Sequence, residues 1–231
     1  MSLRPAIATT GVALHVVDLD ALRPELGAHE SLASPDERSR AAGFRSDVHR
    51  ERFLLRRGAL RRLLGSVVGV PPARLCFTAG PFGKPRLEGE GPLFSASSSG
   101  NLFVVALSTS LEVGVDVERV LSRDDLDGVA RHAFSQVLNA RLAALDAEAR
   151  LPAFYRVWTI EEAVGKLDGR GIADGMPVPD VPLDALLRGG RWALATDDAD
   201  RGRFVETLAL GSGAVLSLAT GPRAEAAPVR R

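Results

Sequence analysis

Residues 93–118 read Leu93-Phe94-Ser95-Ala96-Ser97-Ser98-Ser99-Gly100-Asn101-Leu102-Phe103-Val104-Val105-Ala106-Leu107-Ser108-Thr109-Ser110-Leu111-Glu112-Val113-Gly114-Val115-Asp116-Val117-Glu118. Apolar runs at 93–96 and 102–108 predict two strands joined by the polar turn 97–101, and 113–118 predicts a third strand. Upstream, 12–19 reads as a strand. Ser34-Pro35-Asp36-Glu37 has the capping residue, proline and first-turn acids of a helix start, and 47–69 carries the i, i+3, i+4 apolar stripe of a long second helix. A short strand at 75–78 and the loop 79–83 lead into the quoted stretch. Downstream come helical segments over 126–145, a helix opened by Pro152 that runs to about 167, and late strands at 192–195, 204–210 and 214–219, the last two joined by Gly211-Ser212-Gly213. The order strand, helices, strands therefore occurs twice. It predicts an α+β chain of two similar halves, 1–110 and 111–220, followed by an Ala/Pro/Arg-rich disordered tail at 221–231, and a cleft between such halves is an ordinary place for a ligand.

Composition narrows the function. The 231 residues are 45% hydrophobic, enough for a sizeable core, and 29 basic residues balance 29 acidic ones. Global charge therefore gives no reason to expect nucleic acid or a membrane surface as partner. No apolar stretch reaches bilayer-spanning length, and the N-terminus lacks the pattern of a signal peptide. The single cysteine, Cys76, cannot form an internal disulfide, which suits the cytoplasm, and its apolar neighbours Leu75 and Phe77 predict a core position. His15, His29, His49 and His132 show no metal-ligand spacing. Only two of the basic residues are lysines, Lys84 and Lys166. In a chain that uses arginine almost everywhere, they are candidates for places where a compact ammonium is needed.

Three groups of residues suggest chemistry. Asp116 and Glu118 alternate along a strand and so share one face. Glu162 and Lys166 stand at i and i+4 on a helix, with Trp158 one turn earlier, a pattern that predicts an inward face. Each is also compatible with a bland role, a solvated edge or a surface ion pair. Together they form an all-oxygen donor set suited to magnesium or manganese. Residues 38–62 carry nine arginines against Asp47 and Glu51, either a solvated helix face or a phosphate cradle.

The ordered set of Gly83-Lys84-Pro85, Phe94-Ser95-Ala96-Ser97-Ser98-Ser99-Gly100, Gly114-Val115-Asp116-Val117-Glu118, Trp158-Thr159-Ile160-Glu161-Glu162-Ala163-Val164-Gly165-Lys166 and Gly169-Arg170-Gly171 resembles the surfactin-type 4'-phosphopantetheinyl transferases. Ser34 to Arg38 and the stretch from Arg52 to Arg61 fit as well, so the resemblance spans roughly residues 34–172. It implies a pseudo-twofold pair of α/β halves with coenzyme A between them. It implies transfer of the phosphopantetheine arm of coenzyme A to a serine of an apo acyl- or peptidyl-carrier protein, releasing the 3',5'-bisphosphate nucleotide, by a monomer. Asp116, Glu118 and Glu162 would hold magnesium. Glu162 would take the serine proton, directly or through a water, and Lys166 would offset charge on the leaving nucleotide. Arg38, Arg40 and Arg52 would contact the coenzyme's phosphates, Gly83, Lys84 and Pro85 its adenine end, with Ser97 and Ser98 beside them.

Three positions depart from the family pattern. Ser98 stands where the family usually has histidine, Glu161 where it has lysine, and Leu138 where it has glutamate. Glu161, about 100° round the helix from Glu162, is expected to point away from the metal site. The departures motivate a different class of reading: a repurposed member of the fold that binds coenzyme A or a carrier-tethered substrate without transfer, or that runs another reaction on it.

Overall fold

The computed structural model describes residues 7–9, 11–80, 82–169, 181, 183–193, 202–211 and 213–223. Arg170, Gly171, Leu194, Ala195, Ser212 and the tail beyond residue 223 lie outside them. The fold is α+β, in two compact units, Met1–Thr109 and Ser110–Arg231.

The first unit runs β1 (Ile7–Thr9), β2 (Val12–Asp18), α1 (Leu19–Leu22), α2 (Leu26–Glu30), α3 (Pro35–Ala42), α4 (Asp47–Val68), β3 (Phe77–Ala79), β4 (Pro85–Leu87), β5 (Leu93–Ser99) and β6 (Leu102–Ser108). Its antiparallel sheet has the order β1-β2-β6-β5, and β3 and β4 form a separate hairpin. Helix α3 starts where the sequence predicts. The Ser34 side chain accepts from the Glu37 amide at 3.2 Å, and the Glu37 carboxylate accepts from the Ser34 amide at 2.8 Å. Glu37 has a second role: Arg61 of α4 donates to it at 3.0 Å and Arg57 pairs with it as well, so the cap ties α3 to α4. Leu60, Leu63 and Leu64 of α4 pack with Phe94, Phe103 and Val105 of the sheet.

Strand β5 is longer than expected. Ser97, Ser98 and Ser99 are strand residues paired with Val104, Phe103 and Leu102, and the reversal falls at Gly100, whose φ is 60°. Ladder hydrogen bonds come from the backbone, so a serine run extends a strand readily; the left-handed turn is what required glycine. Cys76 is exposed, not in the core, because burial alternates and Leu75 faces inward instead.

The second unit runs β7 (Leu111–Arg119), α5 (Leu126–Ala133), α6 (Gln136–Ala143), α7 (Ala147–Asp168), α8 (Leu183–Arg188), β8 (Gly190–Ala193), β9 (Phe204–Leu210) and β10 (Ala214–Pro222), with sheet order β7-β10-β9-β8. Helix α7 begins before Pro152. Asp146 caps it by accepting from the Ala149 amide at 2.8 Å, and Pro152 sits inside, forgoing one bond to the Glu148 carbonyl. Strand β10 continues to Pro222, into the stretch expected to be a tail.

The register of α7 on β7 is set by Gly114. A Cβ there would lie 2.0 Å from the Ala163 carbonyl oxygen and 2.4 Å from the Leu167 nitrogen, so only glycine lets the helix backbone come this close. Strand alternation then turns Asp116 and Glu118 to the same, helix-facing side as Gly114. Among the described residues no helix is long and apolar enough to cross a membrane.

Candidate functional site

In the second unit the close approach of α7 to β7 brings Asp116, Glu162 and Lys166 together. The Lys166 ammonium donates to Asp116 Oδ1 at 2.6 Å, and Asp116 is only 3% exposed. Burial raises the pKa of Glu162; Lys166 lowers it and Asp116 raises it again, the net being upward. Glu162 thus holds its proton at higher pH than an exposed glutamate and stands within the electrostatic reach of both partners. Glu118 is half-buried one strand step beyond Asp116.

One expectation about this helix is corrected. The stripe Trp158, Glu162, Lys166 is not the inward face: all three are half-buried, while Thr159, Ile160, Glu161 and Ala163 are buried. Helix α7 is surrounded on most sides, and this stripe is its opening. Trp158 borders the core, stacked on Phe154 at 6.1 Å and edge-on to Phe134 at 6.4 Å. Glu161, the residue before Glu162, is itself buried. It is 9% exposed, and burial, then the charge of Glu162, pushes its pKa up to about 8. The raised pKa favours the neutral acid, and the burial that causes it also weakens the conflict with an anionic ligand.

Oxygen donors alone suit a hard divalent ion, and Asp116 with Glu162 is the part of the proposed ligand set that is gathered. Among the described residues no group of three or more His, Cys, Asp or Glu side chains is spaced to hold a metal. The Lys166 ammonium supplies the counter-charge to Asp116 in this arrangement.

In the first unit a cavity of about 410 Å³ lies between α4 and the β5–β6 end of the sheet, lined by Arg40, Phe53, Arg56, Arg57, Ser97 and Ser98 among others. Arg56 donates to the Ser98 hydroxyl. Burial and the neighbouring guanidinium groups of Arg40, Arg57 and Arg52 hold its pKa below the usual arginine value, the signature of a crowded cationic site that an anion would relieve. Arg40 also lies over the Phe53 ring at 5.5 Å. Arg38 and Arg52 do not line the cavity: Arg38 donates to the Ala33 carbonyl and Arg52 pairs with Asp20 at 3.8 Å. Arg56 is the residue that sequence reading passed over. The signal is its position one turn after Arg52 on the helix, facing a serine-lined strand whose composition predicts a turn. Gly83, Lys84 and Pro85 form the tip of the β3–β4 hairpin. Gly83 has φ 84°, the Gly80 amide donates to the Lys84 carbonyl at 2.8 Å, and Pro85 pairs with Ala79.

Comparison with known proteins places this geometry in a family. The model of the 4'-phosphopantetheinyl transferase superfamily matches residues 112–214, a span that contains Asp116, Glu118, Glu162 and Lys166. A Synechocystis sp. protein provisionally named as a 4'-phosphopantetheinyl transferase is 36% identical over 70% of this chain and 68% of its own length. The 4'-phosphopantetheinyl transferase HetI of Nostoc sp. is 35% identical over 68% of each chain. The 4'-phosphopantetheinyl transferase AcpT of Salmonella typhimurium is 39% identical over 38% of this chain and 46% of its own. The chain belongs to the 4'-phosphopantetheinyl transferase superfamily and is a transferase.

Proposed function

We propose that this protein moves the 4'-phosphopantetheine arm of coenzyme A onto a serine of an apo acyl- or peptidyl-carrier protein in a magnesium-dependent reaction. The observation that carries the reading is the Asp116–Lys166–Glu162 set on the close-packed α7 and β7. Asp116 and Glu162, with Glu118 one strand step beyond, would hold the ion; their oxygen-only chemistry suits it, while Glu118 is not gathered with the other two in this arrangement. When bound, a divalent cation supplies positive charge against the coenzyme's pyrophosphate.

The protein's own groups do the rest. Glu162, raised by burial, is a better proton acceptor than an exposed glutamate and takes the carrier serine's proton, itself or through a water. The serine oxygen forms a bond to the β-phosphorus, and the bond from that phosphorus to the 5'-phosphate oxygen breaks. Lys166 offsets charge on the leaving adenosine 3',5'-bisphosphate. Arg40 and Arg56, with Ser97 and Ser98, take the nucleotide's 3'-phosphate in the first unit's cavity. Arg57 adds charge there, with Arg38 and Arg52 farther out, and the Gly83-Lys84-Pro85 tip takes the adenine side. Phosphoryl transfer asks for positioning and charge neutralisation more than covalent chemistry, and both sets provide that.

The test is intact-mass spectrometry of apo carrier proteins incubated with coenzyme A, magnesium and the protein. The expected result is a gain of one phosphopantetheine arm. Binding of coenzyme A or carrier with no mass gain on any carrier would instead favour the non-catalytic reading.

A further inference from the structure

Behind the Asp116–Lys166 pair lies a chain of buried hydroxyls that no step of the reaction uses. Ser217 of β10 is the cross-strand partner of Asp116 on one side and of Thr207 on the other, so the three form one row across the sheet. The Ser217 hydroxyl is 2.9 Å from that of Thr207 and 2.8 Å from that of Thr159, which comes down from α7. Thr159 and Ser217 are fully buried and Thr207 is 2% exposed.

Either side can donate in each hydroxyl–hydroxyl link of this chain. Each hydroxyl has one proton to give. Thr159 gives its own to the Arg156 carbonyl at 3.1 Å. With that bond made, one consistent direction runs from Thr207 to Ser217 to Thr159. In that direction the Ser217 proton goes to the helix. Asp116 keeps the Lys166 ammonium as a donor, at 2.6 Å.

We infer that Ser217 is a positioning residue for the proposed transfer reaction, fixing the rotation of α7 over β7 so that Lys166 and Glu162 meet Asp116. The inference rests on the proposed function for its kinetic consequence only; its geometric claim stands by itself. Apolar packing of Val157, Ile160 and Val164 holds α7 in the core but tolerates small rotations, whereas a hydrogen bond between two buried hydroxyls is directional. Thr159 lies three residues before Glu162 and seven before Lys166, on adjoining rows of the helix. A rotation that breaks the Ser217–Thr159 link therefore carries both functional side chains with it. Gly114 sets how close the helix comes, and Ser217 sets how it is turned.

The chain's two lysines give a readout that needs no activity. Brief acetylation followed by peptide mass spectrometry measures Lys166 against Lys84 as an internal standard. In Ser217→Ala, Lys166 is expected to label several-fold faster relative to Lys84 than in the parent, because its bond to Asp116 is loosened. Ser217→Thr, which keeps the hydroxyl, should restore the parent ratio. Thr159→Val, which keeps the branched shape but cuts the link, should match Ser217→Ala and serves in its place if that variant does not fold. In the transfer assay the same variants should lose about tenfold or more in kcat, with the KM for coenzyme A within about twofold of the parent. An unchanged Lys166/Lys84 ratio in folded Ser217→Ala or Thr159→Val overturns the inference. A parent protein that transfers nothing overturns the proposed function instead, and leaves the labelling result to be read independently.

Discussion

The two units use one plan to different ends. Among the described residues each has a four-stranded antiparallel sheet and a helix of 22 residues that ends at a left-handed glycine, Gly69 with φ 69° and Gly169 with φ 77°. In the first unit α4 stands off from its sheet on leucine and phenylalanine side chains, and the space left at one end is a cavity edged by guanidinium groups. In the second unit α7 presses backbone to backbone on Gly114, and carboxylates meet a lysine where the cavity would be. Helix-to-sheet distance decides whether the same build leaves an arginine-edged cavity or brings carboxylates and a lysine into contact.

The sharpest way to break this comparison is Gly114→Ala. The added methyl would meet backbone atoms of Ala163 and Leu167 that cannot move without lifting α7. A loss of at least ~3 kcal/mol is expected, at the upper end for overpacking. Gly27→Ala in α2 is the control, with nothing within 4 Å of the new Cβ, and should melt like the parent. An unchanged melting temperature for Gly114→Ala would show that close approach does not build the second unit's site.

Each unit also buries a titratable group, and the two should act in opposite directions. Glu161 in the second unit is pushed up to about 8 from 4.5, so the folded state keeps a proton that the unfolded chain releases. Stability is therefore lost as pH rises from about 4.5 toward 8. Glu161→Gln is expected to recover on the order of a few kcal/mol at pH 8 and little at pH 4.5, by thermal melts in chelator. In the first unit His29 is wholly buried on α2, with both ring nitrogens lacking a hydrogen bond, and burial lowers its pKa from 6.5. There the unfolded chain binds the proton first, so stability is lost as pH falls below about 6.5. His29→Leu should flatten that acid arm and leave the alkaline arm alone, the smallest of the effects described here.

Between these in size is the effect at the proposed anion site. Arg56→Ala should weaken coenzyme A about tenfold or more by calorimetry, as expected for a lost charge-assisted contact. Arg52→Ala, at a residue paired with Asp20, should weaken it less, and the Arg56→Ala loss should shrink for dephospho-coenzyme A. Equal losses for the two ligands would show that the cavity does not read the 3'-phosphate.

How much of this was legible depended on whether the deciding interaction was local. The long helix from Asp47, the capped start at Ser34 and the strands β6, β7, β9 and β10 follow from periodicity and capping, which neighbours in sequence determine. Asp116, Glu162 and Lys166 were legible because alternation and i, i+4 spacing fix which side chains share a face. Which face of α7 points inward was not, because Trp158 could border the core as well as fill it, and the sheet decides that from fifty residues away. The same holds for Arg56, whose partner Ser98 lies on a strand that looked like a turn, and for the short β1, β4 and α8, which are too brief to carry a period. Pro152 misled because proline marks a first turn more often than it sits in a second one.

The most direct test of the account is intact-mass spectrometry of an apo carrier protein after incubation with coenzyme A, magnesium and one of three proteins: the parent, Glu162→Gln or Glu161→Gln, each shown by circular dichroism to be folded. The parent should add one phosphopantetheine arm. Glu162→Gln should be slower by at least about 100-fold, the cost of losing a general base and a carboxylate ligand. Glu161→Gln should stay within several-fold of the parent, because burial and Glu162 push its pKa up to about 8 and so favour the neutral acid near pH 7. A dead Glu161→Gln beside an active Glu162→Gln would contradict the assignment of the reacting face of α7.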